Sequence, residues 1–210
     1  VLRRLPTIVP CPPDRPQVAD AEHPIRKVTR QIAFEPTGWD AERRARVAEL
    51  FDGLAPTWHE RQAANEHDAL RDALERVGPY PAGPCLEVGS GTGAFTAELS
   101  ERFEPLISVD LSREMLRRAR GPRVLADSAE LPVPTGSAAT VVLVNMFLFP
   151  HEIDRVLQPG GALVWVSVLG DATPIYLSAE DVDVALPGDW AGTAADAGWG
   201  SWAVFRKPGA

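Results

Sequence analysis

Lysine is nearly absent from this chain of 210 residues: Lys27 and Lys207 are the only two among 21 basic side chains. Tyrosine is equally scarce, and neither Tyr80 nor Tyr176 has a lysine four residues on. Of the two cysteines, Cys11 lies in a polar, proline-rich stretch and Cys85 in an apolar run. A structural disulfide is therefore not expected, and a reducing cytoplasm is the simplest location. The four histidines are scattered, with no His-x-x-x-His or paired-cysteine spacing, so no metal is expected. No apolar run approaches the roughly 20 residues that span a bilayer, and none long enough for a secretion signal follows Arg3 and Arg4. Positive charge is in deficit, 21 Lys and Arg against 29 Asp and Glu, a net charge of -8. That balance argues against nucleic-acid binding through a broad basic surface. The arginine clusters Arg43-Arg44-x-Arg46 and Arg117-Arg118-x-Arg120 have acids nearby and read as solvated helix faces.

What is present suffices for one core. The hydrophobic fraction of 45% and charged fraction of 24% are those of an ordinary globular protein of single-domain length. Three parts are expected. Residues 1–24 hold Pro6, Pro10, Pro12, Pro13, Pro16 and Pro24 without periodicity, a mobile or loosely docked tail. Residues 25–79 read as a helical cap: Asp40 can N-cap a helix with Val47, Leu50, Phe51 and Leu54 on one side. A second helix carries Ala69, Leu70, Ala73, Leu74 and Val77 and ends near Gly78. Residues 80–210 form the sheet domain. Neither an internal repeat nor further low-complexity sequence is visible.

Residues 85–99 carry the most information. A short apolar run ends in Glu87; Gly89, Gly91 and Gly93 follow, then a helical pattern in Phe95, Leu99 and Phe103. That is a strand, a glycine turn and a helix start, a layout that lets a nucleotide ligand approach bare backbone. With Ala94 the loop also satisfies Gly-x-Gly-x-x-Gly/Ala, so a dinucleotide site is not excluded by this stretch. About 20 residues on, Leu106–Asp110 is a second strand ending in an acid, where a ribose-binding carboxylate belongs. Ser112 can cap a helix bearing Met115, Leu116 and Ala119. Val124–Ala126 precedes Asp127-Ser128, Ala139–Val144 precedes Asn145, and Ala162–Val168 follows Pro159-Gly160-Gly161. A short helix over 178–186 and strands over 189–197 and 201–206 complete the domain. A short-chain dehydrogenase would need a Tyr-x-x-x-Lys pair, which this chain lacks.

Glu87-x-Gly89-x-Gly91-x-Gly93, Val109-Asp110-x-Ser112-x-x-Met115-Leu116, Ala126-Asp127-Ser128-x-x-Leu131-Pro132 and Pro159-Gly160-Gly161 occur in order. In this the chain resembles the class I S-adenosylmethionine-dependent methyltransferases, in particular the ubiquinone-biosynthesis-methyltransferase-like group. The resemblance is strong over about residues 84–169 and weak elsewhere. It implies an α/β fold: a Rossmann-like, doubly wound, seven-stranded, mostly parallel sheet whose last strand is antiparallel, with an N-terminal helical cap.

It also implies S-adenosylmethionine as cofactor, across the ends of the first four strands. Gly89, Ser90, Gly91 and Gly93 would let backbone approach the methionine and ribose. Glu87 would hold the cationic methionine end, or accept from the loop amides, or both. Asp110 would accept from both ribose hydroxyls; its alternative is helix capping with Ser112. Asp127 and the Ser128 amide would face the adenine, sandwiched by Leu111 and Met115. The Asn145 carbonyl would meet the methionine amino group. Met146-Phe147-Leu148-Phe149 is apolar in a loop, either walling a dry pocket or packing beneath the cap. Phe51-Asp52-x-x-Ala55-x-x-Trp58 resembles the cap segment that folds over the cofactor, making Trp58 a lid residue.

Methyl transfer is a displacement at a sulfonium methyl that needs alignment and a dry site but no protein nucleophile. His151 and His59 are the candidate general bases, histidine being poised near neutral pH. His23 and His67 look incidental. Tyr176 can orient an acceptor or pack the sheet edge. Trp190, Trp199 and Trp202 can pack that edge, line a pocket or serve an interface. The expected function is methylation of a small organic molecule, such as a secondary metabolite, without nucleic acid or membrane. The alternatives are non-methylating chemistry on the same fold, such as cyclisation, and a non-catalytic S-adenosylmethionine-binding module. The acceptor atom and the oligomeric state are not readable.

Overall fold

The computed structural model of the protein describes residues 1–14, 23–35, 37–61 and 67–209. In chain order its elements are strand β1 (Leu2–Arg4), helices α1 (Pro24–Phe34) and α2 (Ala41–Leu54), a 3-10 segment (Ala55–Arg61) and helix α3 (Asp68–Arg76). Strand β2 (Cys85–Val88), α4 (Thr96–Ser100), β3 (Leu106–Asp110), α5 (Arg113–Leu116) and β4 (Arg123–Leu125) follow. Then come β5 (Ala138–Val144), α6 (Pro150–Val156), β6 (Leu157–Ser167), a 3-10 turn (Gly170–Ala172), α7 (Ala179–Ala185), β7 (Ala191–Ala197) and β8 (Gly200–Arg206).

β5 reads Ala-Ala-Thr-Val-Val-Leu-Val, with all but its last residue buried, as a strand covered on both faces must. It pairs in parallel with β2 on one side and β6 on the other. The full order is β1-β7-β8-β6-β5-β2-β3-β4. β8 is antiparallel to both β6 and β7, while the other pairings are parallel. Chain direction across the sheet reverses between β2 and β5, so a crevice opens beyond the carboxyl ends of these strands.

The sheet has eight strands rather than the expected seven. Leu2–Arg4 pairs in parallel with Gly192–Ala194, so these residues form the sheet edge and not a loosely docked tail. Three residues are too few for alternation to show in the sequence. Residues 15–22 of the expected tail lie outside the described residues. The cap is also smaller than 25–79. α3 buries Ala69, Leu70, Ala73 and Leu74 in one core with Val164, Val166, Trp202 and Val204, so it is a sheet-flanking helix. The Trp202 indole donates to Asp72 Oδ2 on α3 at 2.7 Å. α1, α2 and the 3-10 segment remain as the cap. Trp190 and Trp202 are buried in the core and Trp199 donates to the Pro12 carbonyl, so none of the three walls the crevice. Among the described residues no helix is long and apolar enough to cross a membrane.

Candidate cofactor and acceptor site

Strands β2 to β6 deliver residues at or just beyond their carboxyl ends to one cavity of about 430 Å³. That size lies in the range of small-molecule sites, about 300–1,000 Å³. Glu87 comes from the end of β2, Asp110 from β3, Asp127 and Ser128 from beyond β4, Asn145 from beyond β5 and Leu169 from beyond β6. Side chains of Val47, Leu50, Phe51 and Leu54 on α2 form the opposite wall. None of the α2 residues is fully buried, so the helix spends most of its apolar face on the cavity, Val47 also packing against the cluster of Ile32, Phe147 and Phe149.

The glycine loop closes by hydrogen bonds of its own. Gly89 N and Ser90 N donate to the Val109 carbonyl at 2.8 and 3.1 Å, and Gly93 N donates to the Ser90 carbonyl at 2.9 Å. Gly89, with φ +74°, would bring a Cβ to 2.8 Å from Met146 Cγ. A side chain there meets both a left-handed backbone and an occupied space. Gly93 does not line the cavity; a Cβ there would face Thr96 and Ala119, so this glycine seats the loop on its neighbours.

Three carboxylates line the cavity, each held differently. Glu87 is 3% exposed and accepts from Thr96 Oγ1 at 2.5 Å and Ser108 Oγ at 2.8 Å, both on Oε2. Burial pushes its pKa above the ordinary glutamate value against those hydrogen bonds. Asp110 accepts from Gly91 N at 2.8 Å and Ser112 N at 2.7 Å. Its pKa is also raised, by burial first, with the amide hydrogen bonds opposing. Asp127 accepts from the Trp39 indole at 3.1 Å to each oxygen and from Ala129 N at 2.9 Å. Ser112 is the N-cap of α5, through Oγ to Met115 N at 3.1 Å.

Leu111, Met115, Trp58, Phe147 and Phe149 also line the cavity. Phe51 and Trp58 meet edge to face at 5.8 Å, and Trp39 contacts Phe149 at 5.4 Å and Phe147 at 6.1 Å. The loop after β5 thus does both things its sequence allowed: it walls the cavity and packs beneath α1 and Trp39. Asn145 has φ 49°, a strained value for a side-chain-bearing residue, and its Oδ1 accepts from Val168 N at 3.0 Å.

Besides Gly93, three expected site residues are not brought here. His151 is exposed on α6, because Pro150, Ile153 and Val156 form the inward face at a spacing of three. His59 is exposed on the 3-10 segment, where Ala55 and Trp58, again three apart, turn inward. Tyr176 lies just past the wall residues Thr173–Ile175, with the Arg26 guanidinium 5.4 Å from its ring centre. The sequence reading in turn missed Trp39, and it named Asp52 within the cap segment without giving it a role. Trp39 stands just before the Asp40 N-cap, where a large apolar residue is a known helix-start signal. Asp52 Oδ1 accepts from Ser112 Oγ at 2.5 Å and Glu114 N at 3.0 Å, fastening α2 to the start of α5.

The donor set fits S-adenosylmethionine. Ser90 and Ser128 on the cavity wall have buried hydroxyls without a hydrogen-bond partner among the described residues. An unpaired buried hydroxyl costs about 1–3 kcal/mol, a cost a polar ligand removes. Three acids and no basic side chain among the described lining residues suit a cation with a ribose and an adenine better than a pyrophosphate.

Residues 86–165 match the methyltransferase domain family. The fold is that of S-adenosylmethionine-dependent methyltransferases, enzymes whose cofactor is S-adenosylmethionine. The chain is 27% identical over 158 residues to the demethylmenaquinone methyltransferase of Lactococcus lactis, covering 64% of this chain and 63% of that one. It is 36% identical over 109 residues to the 23S rRNA (guanine(748)-N(1))-methyltransferase of Streptomyces fradiae, covering 48% and 39%. The chain thus spans less than two thirds of either relative. Among solved structures, a methyltransferase of Thermotoga maritima, titled a possible histamine N-methyltransferase, superposes with TM-score 0.58 at 17% identity, over 76% of this chain and 99% of that one. The named acceptors differ, so relationship fixes the domain and not the acceptor.

Proposed function

We propose that the protein transfers the methyl group of S-adenosylmethionine to a small organic molecule. The observation that carries this reading is the placement of Glu87, Asp110 and Asp127 at the ends of adjacent strands, on the floor of a cavity roofed by apolar α2. In this reading Asp110 takes the ribose hydroxyls, Asp127 and Ser128 the adenine edge, and Glu87 with the glycine loop the cationic methionine end. Bound there, the cofactor supplies an activated methyl on a positive sulfur. The protein's residues hold the acceptor in line with it and keep water out, which can lower the barrier by several kcal/mol. A small acceptor suits a partly open, largely apolar cavity on a chain with net charge -8; an RNA acceptor would call for basic surface.

Calorimetric titration with S-adenosylmethionine, S-adenosylhomocysteine and NAD tests the reading. Binding of both adenosyl ligands and not NAD is expected. NAD binding alone overturns it, as does silence from all three. Substrate products that keep their mass while the cofactor is bound would favour non-methylating chemistry on the same site.

A further inference from the structure

Apart from the residues at the strand ends, the cavity wall has a one-sided chemistry. Ile25, Leu50, Phe51, Phe147, Phe149 and Ile175 form it, contributed by α1, α2, the loop after β5 and the segment after β6. Thr173 is the hydroxyl on this side among the described residues, and its Oγ1 is engaged by Leu169 N at 3.3 Å. The three carboxylates each have partners that fix them: Thr96 and Ser108 for Glu87, amides for Asp110, Trp39 and Ala129 for Asp127. Both candidate histidines are exposed and neither lines the cavity. None of the side chains lining this wall carries a charge to pair with an ion on the body of an acceptor. Among its described lining residues, this wall carries no acidic or basic side chain that could take a proton from the acceptor.

From this we infer that the acceptor is an apolar, aromatic-bodied molecule whose reacting atom ionises by itself near neutral pH, as in an arene thiol. The protein contributes enclosure and alignment, not a base. The inference rests on the methyl-transfer reading above. For such a thiol, the proton leaves to water first. The thiolate sulfur then bonds to the methyl carbon as the sulfonium carbon–sulfur bond breaks, its electron pair returning to the cofactor sulfur. An anion and a cation become a neutral thioether and S-adenosylhomocysteine. A dry cavity favours a step that destroys charge.

The experiment compares 4-methylthiophenol with 4-mercaptobenzenesulfonate as acceptors, and their S-methyl products as calorimetric ligands of the protein loaded with S-adenosylhomocysteine. Turnover of the methyl compound at about 50-fold higher kcat/KM is expected, with measurable binding of its product and none of the sulfonate's. Across ring-substituted thiophenols, the rise of kcat/KM with pH should move with each thiol's own pKa. Leu50 lies on α2 at the cavity and is 47% exposed, so Leu50→Arg should fold and narrow the preference at least about tenfold. Equal handling of the two thiols overturns the inference. So does a pH break that stays fixed across the series, or no transfer to any thiophenol by protein that binds S-adenosylmethionine. Failure of S-adenosylmethionine to bind at all would instead overturn the methyl-transfer reading, which keeps the two separable.

Discussion

The indole nitrogen of Trp39 donates to both carboxylate oxygens of Asp127, 3.1 Å to each, across 88 residues of chain. Arg44 Nη1 reaches the same carboxylate at 3.3 Å. Asp127 therefore stands at the cavity floor and also ties the cap to the sheet. Trp39→Phe keeps a ring against Phe147 and Phe149 but removes the donor. Hydrogen bonds to charged groups contribute about 1.5–3 kcal/mol, so cap opening should become about tenfold or more easier. Hydrogen exchange of the α2 amides reads this directly; unchanged protection would show that the aromatic packing alone holds the cap.

A second tie lies on the other flank of the cavity. Asp52 on α2 accepts from Ser112 Oγ and Glu114 N, so it satisfies an orphan donor in the first turn of α5. Its pKa is lowered, first by the Ser112 hydrogen bond. A lowered folded value means that its contribution is present above the unfolded carboxylate pKa and is lost as pH falls through the folded one. Asp52→Ala should cost about 1 kcal/mol in denaturant unfolding near neutral pH, as lost caps do, and that deficit should shrink in acid. A deficit that does not change with pH would mean that packing, not charge, is what Asp52 supplies.

The floor of this site was legible in the sequence because its signals are local. A glycine turn with an acid two residues before it, and acids at strand ends, are features of single loops, and Glu87, Asp110 and Asp127 line one cavity. The parts that were not legible depend on partners distant in the chain. β1 exists only because β7 offers it an edge. α3 shows the same amphipathic pattern whether it caps a cleft or covers a sheet, and the pattern does not say which. Trp39 has no local partner to announce it. The histidines illustrate a different limit: in short helices, one residue of rotation decides whether a side chain faces the site or the solvent.

His151→Ala and His59→Ala follow from that geometry. Both side chains are exposed and neither lines the cavity, so once an acceptor is found each variant should turn it over within about twofold of the parent. A loss of about 100-fold, the scale of general acid–base catalysis, in either variant would place that histidine in the chemistry and require the segment that carries it to move.

Gly89→Ala tests the cradle. At φ +74° the new methyl group is strained, and it would stand 2.8 Å from Met146 Cγ. Substitution at such a position should destabilise by more than about 1 kcal/mol. Met146 is flexible and can give way, whereas the backbone angle cannot, so Gly89→Ala combined with Met146→Ala should recover only part of the loss. Full recovery in urea unfolding would mean that crowding, not the left-handed backbone, makes glycine necessary there.

Asp110 sets opposing pH dependences for folding and for binding. Burial raises its folded pKa above the ordinary aspartate value, as it does that of Glu87. The folded, ligand-free protein therefore binds protons more readily than the unfolded chain. The stability these groups contribute is complete below the unfolded carboxylate pKa and declines as pH rises through the folded one. Ligand binding runs the other way, since accepting from two ribose hydroxyls needs the ionised form. Affinity for S-adenosylhomocysteine should thus fall on acidification, beginning above the pH at which an ordinary aspartate is protonated. Asp110→Asn should weaken binding near neutral pH by about 1–3 kcal/mol, the scale of a charge-assisted hydrogen bond, and should flatten this acid limb. Calorimetry of both proteins across the acid range separates the causes. An acid limb that persists unchanged in Asp110→Asn would assign the titration to Glu87, the other buried carboxylate on the cavity floor.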